Sequence, residues 1–248
     1  MKKVPAVNNI SIAITVTQVM TELEKKGSAQ TRKTYANHGA PQTMYGVKVG
    51  DLKPIAKKLK GQQDLALQLF DTGNCDAMYL AGLVADGAKM SKKQLEQWAK
   101  QAKWHMISEY IVPWVATESG HGRELAMKWM KSKTESTAAC GWATYSCILG
   151  ATDDSDLDLA EIKSLLKLIP TTIGKAPNRV RYTMNGFVIA TGSFVKPLLK
   201  NSQDAAKKIG KVEVDLGGTA CKVPSATQTI EKMIASDRIG KKRNNVKC

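Results

Sequence analysis

No run of about eighteen apolar residues, the length a membrane-crossing helix needs, occurs in this chain, so a span is excluded. The amino terminus, Met1-Lys2-Lys3-Val4-Pro5, begins with charge. Asn8, Asn9, Ser11, Thr15 and Thr17 then interrupt the apolar residues after it, so no secretory signal is expected. The five cysteines, Cys75, Cys140, Cys147, Cys221 and Cys248, are odd in number and contain no C-x-x-C pair. Neither a disulfide framework nor a structural zinc site is expected from them. His38 and His121 have no partners at ligand spacing, so no metal and no cofactor are expected. Strand-like alternation is confined to residues 211–216 (KVEVDL), which read better as an extended linker. A reducing cytoplasm is the expected home.

What the chain has is helix. Apolar residues make up 43% of it, enough for a sizeable core. Ile12, Val16, Val19, Met20 and Leu23 form one stripe at helical spacing, and Gly27-Ser28 breaks it. Leu52, Ile55, Ala56 and Leu59 repeat the pattern, and Pro54, tolerable in a first turn, places that start near Asp51. Residues 104–115 are apolar nearly all round, as in a buried helix. Ser155 with Asp158 resembles a capping box. Later helices are expected over residues 177–190, 194–209 and 225–235. About a dozen short helices joined by Gly/Ser/Asn breaks predict an all-α fold, an α-solenoid of degenerate helix pairs over residues 1–236.

Charge gives the functional lead. With 37 Lys+Arg against 22 Asp+Glu the net charge is +15, an excess that attracts polyanions and weakens with salt. A solvated, solubilising lysine surface is the plainer reading. Residues 237–248 hold Arg238, Lys241, Lys242, Arg243 and Lys247 with little to pack, so a mobile basic arm is expected there.

Three segments carry a resemblance. Tyr45-Gly46-Val47 with Leu52, Ile55, Ala56 and Lys57 is similar to the opening of the AlkD-like DNA alkylation repair enzymes. Residues 104–113 (WHMISEYIVP) resemble that family's central helix, where aromatics precede a carboxylate beside the DNA. Residues 178–186 (NRVRYTMNG) and 218–224 (GTACKVP), with the GKKR tail, resemble a branch with longer C-termini. The resemblance implies a curved stack of HEAT-like helix pairs whose basic concave face holds double-stranded DNA. It implies a monomer, associated with the nucleoid when bound, that releases 3- or 7-alkylated purines as a DNA N-glycosylase without having to draw the lesion into a pocket.

Such a lesion is already a cationic leaving group. The site then needs a carboxylate near C1′ to stabilise an oxocarbenium-like sugar, aromatics beside it, and cations on the phosphates. Glu109 is the candidate carboxylate, with Trp104 and His105 lining the sugar; a surface pair of Glu109 with His105 or a lysine is the competing reading. Lys175, Arg179, Arg181, Lys241, Lys242 and Arg243 are the candidate phosphate contacts, and Phe187 the second lesion-side aromatic. Trp98, Trp114, Trp129 and Trp142 read as core. Active members place Asp where Glu109 stands, an aromatic where His105 stands and an Arg near Ala139. These departures open the alternative of a catalytically silent relative that grips distorted or branched DNA. A solenoid for an acidic protein partner is a third reading. Cys221 has no assigned chemistry.

Overall fold

The computed structural model describes residues 14–247, so Ile12 of the first stripe and Cys248 lie outside the described residues. Among the described residues the chain folds into thirteen α-helices and no strand. Helix α1 (Val16–Lys26) opens with a reciprocal cap between Thr15 and Gln18, and α2 (Ala29–Asn37) with Ser28 accepting from the Thr31 N–H. The chain then turns through Tyr45-Gly46-Val47, where the buried Asp76 carboxylate accepts three successive backbone N–H groups at 2.6, 3.0 and 3.0 Å. Gly46 has φ +79°, and a Cβ there would meet the Arg32 Cγ at 2.5 Å. This motif therefore anchors the fold.

Helix α3 (Val49–Lys58) starts two residues before Asp51 and carries Pro54 inside it. The proline leaves the Gly50 carbonyl without its helical donor, and exposed Gly50 leaves that group to water. Helices α4 (Gln63–Asp71) and α5 (Cys75–Val84) pack across a tight turn, followed by α6 (Lys92–Gln101), α7 (Val112–Glu118) and α8 (Gly122–Trp129). Helix α9 (Glu135–Ala151) is the spine, lying against α7, α8 and α11 (Asn178–Phe194). Its run of Ala138, Ala139, Cys140, Gly141 and Ala143 is buried, as a helix apolar all round must be. A Cβ at Gly141 would sit 2.5 Å from the Met130 N, so only glycine admits the end of α8.

Two core clusters meet along α9, one running from α1 to α8 and the other from α8 to α13 (Ala226–Ala235). Trp98, Trp114, Trp129 and Trp142 are buried as expected. Helix α10 (Leu159–Thr172) is capped by Asp158, which accepts from the Glu161 N–H at 3.0 Å. Ser155 lies in the 3₁₀ turn Asp154–Asp156, so the capping box centred on it is not formed. Helix α11 continues to Phe194, past the expected end at 190. Pro197 then diverts the chain through the turn Lys196–Leu198 into α12 (Leu199–Ile209). Residues 211–225 form an irregular crossing loop that exchanges two hydrogen bonds with Asn178, both 2.7 Å. It also brings Gly217 against the Asn37 carbonyl.

The expected mobile arm is instead a docked strap. The Arg243 N–H donates to the Gly150 carbonyl at 2.7 Å, and Lys242 Nζ donates to the Leu149 carbonyl at 3.0 Å and to Asp154 at 2.8 Å. These carbonyls belong to the last turn of α9, which has no helical donors of its own. Lys247 Nζ reaches the Ala85 carbonyl at the end of α5 and Glu118 at 2.9 Å, while Val246 packs on the core. Lysines at helix C-termini also complement the helix dipole. Part of the tail's basic character is therefore structural.

Candidate nucleic-acid interface

The expected buried helix over residues 104–115 is interrupted by a π-helical turn, Ile107–Ile111, in front of α7. Pro113 explains it. Without an N–H it cannot bond the Glu109 carbonyl four residues back, and the chain widens so that Val112 donates to Ile107 instead. The widened turn aims Glu109 inward, with its side chain only 3% exposed.

There it meets Arg179. Arg179 Nε donates to Glu109 Oε1 at 2.7 Å and Nη2 to Oε2 at 2.5 Å, a two-pronged pair. Burial pushes the Glu109 carboxyl above its ordinary value, opposed by the Arg179 hydrogen bonds. Burial works against the Arg179 charge, but hydrogen bonding to Glu109 and the charge of that carboxylate, with the neighbouring tyrosines, together raise that group. The geometry makes this an ionised pair. Glu109 thus pairs with neither His105 nor a lysine, and Arg179 is no free phosphate contact. The guanidinium also covers the Tyr182 ring at 4.4 Å, and the Arg179 N–H donates to Glu135 at 2.6 Å.

Trp104 is buried, its indole N–H donating to the His38 carbonyl at 3.1 Å and its ring 5.2 Å from Tyr35. It supports the cleft wall. His105 lines the cleft; burial and then the Arg179 charge lower it to about 4, so it is neutral at pH 7. A histidine depressed from 6.5 in the fold costs stability once the unfolded chain can protonate, so the loss runs from about pH 6.5 down to about 4 and then levels off. His105→Gln is expected to remove about 3 kcal/mol of the stability difference between pH 7 and pH 4, at about 1.4 kcal/mol per tenfold change in proton affinity. Urea unfolding of both proteins at the two pH values measures it; equal losses would mean that His105 is already solvated.

Two cavities flank the Glu109–Arg179 pair and share Tyr110 and Tyr182. The first, about 560 Å³, lies between the end of α2, residues 103–110, the start of α11 and the crossing loop. Lys103, His105 and Lys222 line it, with Cys221 beside them. The second, about 850 Å³, lies between α9, α11 and the strap, with Tyr110, Trp114, Tyr182 and Phe194 inside and Arg238, Lys241 and Arg243 around it. The other sequence candidates scatter. Phe187 is fully buried against Trp142 and Tyr145, so it cannot stack on a lesion; Tyr182 is the α11 aromatic in the cleft. Lys242 is occupied by α9 and Asp154. Lys175 is exposed away from both cavities, and Arg181 reaches Asn178 at 3.4 Å. Tyr110, Tyr182, Lys103 and Lys222 were missed, and the Tyr pair carries no signal beyond its nearness to Glu109 and Arg179 in the sequence.

Residues 19–201, most of the chain, match the DNA alkylation repair enzyme family. The chain belongs to that family. Two relatives, the uncharacterized proteins Lin0241 of Listeria innocua and Lmo0209 of Listeria monocytogenes, are each 35% identical to it over 225 residues, 88% of this chain and 97% of theirs. A solved structure superposes with a TM-score of 0.87 at 35% identity, covering 95% of this chain and 100% of that one. That protein is described as one of a new family related to the HEAT-like repeat DNA glycosylases, with affinity for branched DNA structures. The fold is accordingly the HEAT-like repeat solenoid expected from the helical pattern. No helix among the described residues is long and apolar enough to cross a membrane.

Proposed function

We propose that this member of the DNA alkylation repair enzyme family binds branched or distorted DNA in the cleft and does not cut N-glycosidic bonds. The observation that carries the reading is the Glu109–Arg179 pair. A carboxylate that stabilises a developing oxocarbenium must present uncompensated charge to C1′. Here both Glu109 oxygens are engaged, the side chain is 3% exposed, and the partner cation would repel a cationic alkylated base. Binding needs none of this. Lys103, Lys222, Arg238, Lys241 and Arg243 flank the cleft, where they can neutralise phosphates. The solved relative's affinity for branched DNA supports the same reading.

The test is release of free base from methylated duplex DNA under single-turnover conditions. The expected result is no 3- or 7-methylpurine above the spontaneous rate, from wild type or from Glu109→Gln. Release by wild type that Glu109→Gln abolishes would replace this reading with the glycosylase.

A further inference from the structure

Gly186 stands in the middle of α11, where glycine weakens a helix relative to alanine. Other buried-face glycines have a packing reason. A Cβ would meet Ile111 Cγ2 at 2.2 Å from Gly82, Met130 N at 2.5 Å from Gly141 and Ile230 Cδ1 at 2.7 Å from Gly192. At Gly186 a Cβ would meet nothing within 4 Å, because the residue faces the 850 Å³ cavity. No neighbour requires glycine there, and a longer side chain at this position would project into the cavity. Its volume lies in the roughly 300–1,000 Å³ range of sites that enclose a small ligand.

The lining says which ligand. Tyr110, Tyr182 and Phe194 offer aromatic surface, and Arg243 holds its guanidinium 5.0 Å from the Phe194 ring. Arg238, Lys241 and Arg243 are exposed on the strap, which Lys242 pins in place between them. Glu109 at the inner end is neutralised by Arg179, so it does not repel a phosphate. Aromatic faces beside cations are the means by which proteins hold single-stranded nucleotides irrespective of base.

We propose that this cavity takes one unpaired nucleotide of the bound DNA, its base against Tyr110, Tyr182 and Phe194 and its phosphate against Arg238, Lys241 and Arg243. The inference rests on the DNA-binding reading above and gives the protein a preference for branch points that leave a nucleotide unpaired.

The experiment compares full-length wild type, Gly186→Leu and Gly186→Ala on three probes: a paired duplex, the same duplex with one bulged nucleotide, and that bulge lacking its base. Wild type is expected to favour the bulge over the paired duplex by about tenfold, as one stacked base implies, and to lose the preference on the base-less bulge. Gly186→Leu, which fills the cavity, should lower the ratio to about one with paired-duplex affinity unchanged, while Gly186→Ala keeps it. A ratio unchanged in Gly186→Leu, an equal fall on all probes, or a wild-type preference that survives on the base-less bulge would each overturn the proposal. The last needs only wild-type protein, so it stands even if the leucine variant folds poorly. Failure of wild type to bind any probe would sink the DNA-binding reading itself.

Discussion

Glu109→Gln is expected to lower the unfolding free energy by about 3 kcal/mol, because it strands the Arg179 charge in a buried site. Arg179 is only 21% exposed and its side chain is committed to Glu109 and the Tyr182 face. Glutamine keeps one acceptor but no compensating charge. The double variant Glu109→Gln/Arg179→Gln removes both charges, and its loss should fall short of the sum of the single losses by about 2 kcal/mol, the coupling of a contacting pair. Urea midpoints of the four proteins, with the slope unchanged, measure the cycle. A carboxylate free to serve a sugar would behave oppositely: Glu109→Gln would leave stability unaltered and the two substitutions would add.

Ending the chain at Ser236 is expected to cost about 3 kcal/mol, the scale of two charge-assisted hydrogen-bond groups that are not fully buried. Removal would leave the Leu149 and Gly150 carbonyls of α9 and the Ala85 carbonyl of α5 without their strap donors and uncover the core beneath Val246. Lys242 and Lys247, at 17% and 15% side-chain exposure, account for most of the loss, whereas Lys241→Ala, at 65%, should be nearly silent in stability. Thermal unfolding of the truncated chain tests this. A midpoint equal to wild type would restore the mobile arm expected from the sequence.

The solenoid was legible because apolar stripes at helical spacing recur along the chain and each must be buried against a neighbour. Boundaries were less so. Pro54 suggested a late start for α3, but the carbonyl it orphans belongs to exposed Gly50 and costs little. Ser155 matched a cap pattern, but Asp158 stands nearer the apolar run and takes the role. In the site, Glu109 was conspicuous as a charge in an apolar segment. Its partner was not, since Arg179 lies 70 residues away and only the packing of α11 beside α9 brings it in. Phe187 and Tyr182 differ by five positions, about 140° around a helix, so proximity in sequence pointed to the wrong face. The tail misled for another reason: lysines there bond backbone carbonyls at helix ends, and no side-chain pattern announces such partners.

The most direct test of DNA binding in the cleft is competition between a four-way junction and a linear duplex of the same sequence for the wild-type protein, repeated across salt concentrations. Five cleft cations, Lys103, Lys222, Arg238, Lys241 and Arg243, predict a log–log salt slope of about −4.5 if each neutralises one phosphate. The junction is expected to be bound at least about tenfold tighter at every salt concentration, since the preference comes from fit and the slope from charge. Equal affinity for the two DNAs, or a preference that vanishes as salt rises, would contradict it.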